Sequence, residues 1–136
     1  NAIFGGEGNG GIILTELHYG RDALVGIALF LSHLATSGKS CSRLRADYPN
    51  YFMAKNKIEL PEGTDVHYIL RKMEEKYKKE KLNKTDGLKI EMGGDWVHLR
   101  ASNTEPIIRI YSESSTKTTA ENINKKIMDD IKNVMK

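Results

Sequence analysis

Disulfides, long apolar runs and a strong charge of one sign are all missing from this 136-residue sequence. A single cysteine, Cys41, cannot close an internal bridge, so the fold must stand on its core and a reducing compartment is expected. The longest apolar stretch, 23–35, holds Gly26, Ser32 and His33 and is too short to span a bilayer. With no signal peptide recognised at the start, the expectation is a cytoplasmic protein without a membrane partner. Basic and acidic residues number 21 and 18, a balance that argues against nucleic acid as the partner. His18, His33, His67 and His98 are scattered without the spacing of metal ligands, so no metal is expected to be held.

Glycine, by contrast, is concentrated. Five of the 12 glycines fall in Gly5-Gly6-Glu7-Gly8-Asn9-Gly10-Gly11, where the backbone can approach a ligand closely. No Gly-Lys-Ser/Thr follows, which excludes a Walker-type phosphate loop. Glu7 would repel a phosphate but accept hydrogen bonds from sugar hydroxyls, and Asn9 can join it. Ile3-Phe4 runs straight into this loop as though a strand had been cut away upstream, so a fragment of a longer chain is expected. Ile12-Ile13-Leu14 then reads as a short strand, and a helix follows from Arg21 or Asp22 to Ser37, stopped by Gly38. Ala23, Leu24, Ile27, Ala28, Leu31, Leu34 and Ala35 form one stripe, with Val25, Leu29 and Phe30 adding a second apolar side. Such a helix needs broad cover, from a missing sheet or from self-association through 22–37. His33 among these residues reads as a packed or boundary histidine.

Gly38-Lys39-Ser40-Cys41-Ser42 is the best linker, which divides the chain into 1–42 and 43–136. Beyond it, 51–60 reads as a strand with a polar break at Lys55-Asn56-Lys57, followed by a helix capped by Thr64 or Asp65. Val66, Ile69, Leu70, Met73 and Tyr77 are its inward positions. Alternation marks strands at 88–92, 96–101 and 107–112, the second placing Trp96, His98 and Arg100 on one face and Val97, Leu99 and Ala101 on the other. A capping box at Thr118 opens a last helix with Ile123, Ile127, Ile131 and Val134 inward. The fold class is therefore α+β: a mainly antiparallel sheet of about four strands with two helices on one face, preceded by a loop–strand–helix remnant of an α/β domain.

Between the last two strands lies Arg100-Ala-Ser-Asn-Thr-Glu-Pro-Ile-Ile-Arg109, which reads as an anion cradle. Arg100 offers a fork of donors, Ser102 and Thr104 offer hydroxyls, Asn103 an amide, and Pro106 stiffens the exit. Glu105 would oppose an anion and is assigned to holding an arginine or backbone N–H groups in place. Arg109 joins the phosphate-binding set, although the sequence does not say whether it shares a face with Arg100. Ser-Asn-Thr alone is ordinary turn chemistry; the arginine is what turns it toward an anion. No Ser/His/Asp arrangement, carboxylate pair or Asp-x-Asp motif accompanies the loop, so no catalytic residue is assigned.

The two loops stand in the order found in the α-D-phosphohexomutases, the phosphomannomutase, phosphoglucomutase and phosphoglucosamine mutase superfamily, and the chain resembles their C-terminal part. Arg100-Ala-Ser-Asn-Thr-Glu-Pro resembles the phosphate loop of the fourth domain, and Gly6-Glu7-Gly8-Asn9-Gly10 the sugar loop of the third. Gly20-Arg21-Asp22 and Asp86-Gly87-Leu88-Lys89-Ile90 also resemble the family at matching places. The resemblance implies a four-domain isomerase that moves phosphate between hexose C1 and C6 through a bisphosphorylated sugar. A phosphoserine in the first domain and a magnesium ion (Mg2+) held by the second do the chemistry, while this chain lacks both. It further implies a TATA-binding-protein-like last domain. Arg100, Ser102, Asn103 and Thr104 would hold the non-reacting phosphate, with Arg109 less strongly implied, and Glu7 and Asn9 would contact the sugar. The implied partners are a phosphosugar substrate and the enzyme's own upstream domains. Asn9 stands where many relatives have serine, which leaves the hexose open. The competing readings are a phosphoglucosamine mutase fragment and a stand-alone phosphate- or nucleic-acid-binding module using the basic helix after Thr64.

Overall fold

A computed structural model describes residues 2–7 and 10–135, which fall into two units, Asn1–Pro49 and Asn50–Lys136. In the first unit, β1 (Phe4–Gly6) and β2 (Ile12–Leu14) form an antiparallel pair in the register Phe4↔Leu14. Glu7 N–H donates to Gly11 O at 2.9 Å and Gly10 N–H to Glu7 O at 3.0 Å, so Glu7 sits at the base of the turn. α1 (Ala23–Ser37) begins at Asp22, whose Oδ1 accepts from Leu24 N at 2.8 Å and Val25 N at 3.0 Å. The Val25 bond and the His18 bond hold the Asp22 carboxyl below its ordinary pKa. Gly38 ends the helix at φ 63°, the left-handed conformation that glycine takes at least cost.

None of the described residues of α1 is buried, and Leu24, Ile27, Phe30 and Leu31 are exposed. His33 is exposed, with its Nε2 3.5 Å from the Tyr48 hydroxyl of the same unit. The stretch read as a linker is half helix: Ser40 Oγ caps α2 (Cys41–Ala46), and α2 buries Leu44.

The second unit is a five-stranded antiparallel sheet in the order β3-β7-β6-β5-β4, made of β3 (Phe52–Glu59), β4 (Lys81–Asn83), β5 (Leu88–Met92), β6 (Asp95–Ala101) and β7 (Ile107–Ser114). α3 (Val66–Lys76) and α4 (Lys117–Val134) cover one face. Ile69 and Met73 from α3 and Ile127 and Ile131 from α4 close on Ile58, Ile90, Val97, Leu99, Ile108 and Ile110 from the strands. The α+β expectation holds, with a fifth strand, the edge strand β4, beyond the about four expected.

Two local expectations need correction. The polar break at 55–57 is no break, since β3 pairs with β7 along its whole length. Lys55 and Lys57 face outward, and Asn56 Nδ2 donates inward to Asn124 Oδ1 at 2.9 Å. The last helix is capped two residues earlier than expected, by Thr116 rather than Thr118, because Thr116 is extended and its Oγ1 accepts from Thr119 N at 3.1 Å. Among the described residues no helix is long and apolar enough to cross a membrane.

Candidate functional site: a cationic row at the β6–β7 turn

The turn from β6 to β7 is fixed by its own backbone. Ser102 N–H donates to Ile107 O at 3.0 Å, Ile107 N–H to Glu105 O at 2.8 Å, and Leu60 N–H reaches across from the end of β3 to Pro106 O at 2.8 Å. Ser102 Oγ lies 3.4 Å from both Thr104 Oγ1 and Thr104 N, so the two hydroxyls sit together at the tip. Asn103 and Thr104 are exposed and Ser102 is half-buried. Hydroxyls this close are spaced to bond two oxygens of one tetrahedral anion.

The strand register supplies the charge. Arg100 is directly opposite Arg109 across β6–β7, and Arg109 is opposite Lys57 across β7–β3. Paired residues of an antiparallel sheet project to the same side, so all three cations form one row on the face opposite the helices, with neighbouring strands about 4.8 Å apart. Glu59, 3.6 Å from Lys57 Nζ, and Asp86, with Oδ2 3.2 Å from Arg100 Nε, bound the row. The two arginines serve different hollows. Arg100 and Asn103 line a cavity of about 430 Å³ with Asp86, His67 and Arg71. Arg109 lines one of about 380 Å³ with Lys55, Lys57, Glu105 and Tyr111.

Glu105 departs from its expected role. Its carboxylate is exposed and makes no hydrogen bond or ion pair among the described residues, and only its carbonyl serves the turn. The carboxylate that meets Arg100 is Asp86, which the sequence placed in the family-like stretch Asp86-Gly87-Leu88-Lys89-Ile90 without giving it a role at the loop. Glu7, in the other unit, lies 3.9 Å from Arg21 Nη1, both groups exposed. Asn9 lies outside the described residues. Among the described residues no group of three or more His, Cys, Asp or Glu is placed to hold a metal ion. The described residues therefore do not fit a magnesium ion.

Comparison with known proteins gives the row its context. The family described as "Phosphoglucomutase/phosphomannomutase, C-terminal domain" matches residues 57–130, and "Phosphoglucomutase/phosphomannomutase, alpha/beta/alpha domain III" matches residues 1–51. A phosphoglucomutase/phosphomannomutase of Thermococcus kodakarensis is 41% identical over 122 residues, covering 88% of this chain and 26% of that protein. A phosphoglucosamine/phosphogalactosamine mutase of Sulfurisphaera tokodaii is 37% identical, covering 90% of this chain and 28% of its own length.

Among solved structures, a phosphoglucomutase/phosphomannomutase family protein of Burkholderia thailandensis shares the fold at a TM-score of 0.73 and 22% identity, over 98% of this chain and 28% of that one. An Aspergillus fumigatus N-acetylphosphoglucosamine mutase, solved in complex with GlcNAc-6P and magnesium, shares it at 0.56 and 17%, over 85% of this chain and 22% of that one. The chain spans about a quarter of the length of the curated relatives it matches. By the match of residues 57–130 together with 1–51, the chain belongs to the phosphoglucomutase/phosphomannomutase family.

Proposed function

We propose that this chain is the part of a phosphohexomutase that grips the non-reacting phosphate of a hexose phosphate, and that the whole protein interconverts hexose 6-phosphate and hexose 1-phosphate. The observation that carries the reading is the pairing Arg100↔Arg109 beside a turn whose backbone is tied at three points. Like charges directly opposite across two strands cost stability. An anion bound at Arg100 would be attracted by the Arg109 charge as well and would relieve part of that repulsion. In the bound state Arg100 contributes charge and directed donors, Ser102 and Thr104 contribute hydroxyls, and Asn103 an amide. Arg109 supplies a second charge from the same sheet face. Glu7 would take sugar hydroxyls, in keeping with its carboxylate chemistry.

Chemistry at the far end of the sugar belongs to residues outside this chain, and so does any magnesium ion. This chain's contribution is orientation: binding energy from the remote phosphate fixes the sugar so that its other end meets the reacting group. Arg100→Ala in the full-length enzyme should therefore lower kcat/KM by about a hundredfold, the scale of removing one charge-assisted clamp; kinetics near wild type would refute the assignment. Which hexose is preferred is open, and the Sulfurisphaera tokodaii relative favours an amino sugar as the second reading. Competition between glucose 6-phosphate and glucosamine 6-phosphate separates the two. The nucleic-acid module is disfavoured because Arg71, Lys72 and Lys84 are already paired with Asp65, Glu75 and Glu74.

A further inference from the structure

Arg100 carries its charge on a long stem near the end of a strand, and a free guanidinium there would sample many rotamers. Asp86 removes that freedom. The contact is made through Arg100 Nε, 3.2 Å from Asp86 Oδ2, which leaves the outer Nη edge to meet an anion. The turn that carries Asp86 is itself locked onto β6. Gly87 has φ +73°, and a Cβ there would stand 2.2 Å from Leu99 O and 3.2 Å from the Arg100 Cα, so only glycine lets the turn press this closely. His98 Nε2, from the same outward face as Arg100, bonds Asp86 O as a second tie. Asp86, Gly87, Arg100 and Asn103 line one cavity.

We propose that Asp86 is the positioning residue for Arg100, delivered by the Gly87 backbone lock so that the guanidinium is aimed before the phosphate arrives. This rests on the reading of the 100–109 loop as a phosphate clamp. The carboxylate also works against the anion by charge, and the two effects have opposite signs. If aiming dominates, removing Asp86 weakens phosphate binding even though it removes a negative charge. If repulsion dominates, removing it strengthens binding.

The test is a titration of the 136-residue chain with glucose 6-phosphate, read by nuclear magnetic resonance on backbone amides and on the Arg100 Nε–Hε group, for wild type and for Asp86→Ala, Asp86→Asn and Arg100→Ala. Asp86→Ala should raise Kd about fivefold, a surface charge-assisted contact's worth, and should speed solvent exchange of the Arg100 Hε. Asp86→Asn keeps an oxygen for Nε–H and should stay within about twofold of wild type. Equal or tighter binding by Asp86→Ala, or an unchanged Hε exchange rate, overturns the proposal while leaving the clamp intact, provided Arg100→Ala still loses binding. If Arg100→Ala binds as wild type does, or wild type shows no shift, the clamp reading fails and takes this proposal with it. Asp86 is exposed, and the melting curve followed by Trp96 fluorescence confirms that each variant is folded.

Discussion

The two units of this chain treat their apolar residues in opposite ways. In 50–136, isoleucines, leucines and valines from the strands and both helices meet in one core, to which the edge strand β4 adds the partly buried Leu82, and Met73, Ile90, Val97, Leu99 and Ile110 are wholly enclosed. In 1–49, α1 is a well-capped helix with an apolar sequence and not one buried residue among those described. Good local chemistry at both ends, Asp22 and Gly38, is enough to define the helix but not to stabilise it against water. The lesson is that capping sets where a helix lies, and only a second layer makes it stable. The proposed clamp lies on the unit that has that layer, where residues 57–130 match the family's C-terminal domain.

The sharpest way to break this comparison is to make the same kind of truncation in each unit. Ile131 is fully enclosed, and Ile131→Ala should cost about 3 kcal/mol through lost burial and the cavity left behind. Leu24 is 77% exposed, and Leu24→Ala should change the stability of its own unit by less than about 0.5 kcal/mol. Denaturant melts followed by fluorescence of the single tryptophan, Trp96, check the first, and tyrosine-detected melts the second. Comparable losses at both sites would mean that α1 is covered after all.

The next effect in size concerns Asn124, fully buried on α4. Its Nδ2 lies 3.1 Å from Ile110 O, 3.2 Å from Ala54 O and 3.2 Å from Ser112 Oγ, while its Oδ1 accepts from Asn56. Asn124→Leu takes the amide donor away from Ile110 O, Ser112 Oγ and Ala54 O, so about 2 kcal/mol should be lost in the same Trp96 melts. A neutral result would show that these acceptors are satisfied without Asn124.

A smaller contribution links α3 to α4. Asp130 accepts from Lys76 Nζ at 2.6 Å and from Tyr77 OH at 2.6 Å. Burial works against its charge, but the Lys76 and Tyr77 bonds outweigh burial and hold its pKa below the ordinary 3.8. Burial, and then the bond to Asp130, raises the Tyr77 phenol well above its usual value. A depressed carboxylate contributes stability that is complete above the unfolded-state pKa and is lost as pH falls through the folded-state value. The 50–136 unit should thus lose on the order of 1 kcal/mol from this group on acidification from about pH 5 to below pH 3. Asp130→Asn should flatten that part of the pH dependence, and an unchanged slope would remove Asp130 from the account.

What could be read from the sequence follows how far apart the cooperating residues lie. The ends of α1 and the inward stripes of α3 and α4 were legible because caps and periodicity are local. β4 was not, since Lys81-Leu82-Asn83 has a single apolar residue and becomes a strand only by pairing with β5. Asn56 looked like a break because its partner, Asn124, is 68 residues away. At the clamp, residue types pointed to an anion, but the Arg100↔Arg109 pairing and the Asp86 contact depend on register across strands, which no local pattern encodes. Glu105 was assigned to holding an arginine or backbone N–H groups because a carboxylate opposes an anion, whereas the carboxylate that reaches Arg100 is Asp86, from the turn before β5.

The smallest predicted effect tests whether the cationic row is a functional cost. Arg109 stands between Lys57 and Arg100, and each cross-strand pair of like charges is unfavourable by a few tenths of a kcal/mol. Arg109→Thr suits an exposed strand position and removes both contacts, so it should stabilise the 50–136 unit by about 0.5 kcal/mol. The gain should shrink with added salt, because these charges face solvent. The same variant should bind glucose 6-phosphate more weakly than wild type, and saturating ligand should narrow the stability gap, since an anion on the row repays the repulsion. A more stable variant with undiminished binding would show that Arg109 is only a misplaced charge. A less stable one would show that Arg109 makes contacts that outweigh the repulsion from Lys57 and Arg100.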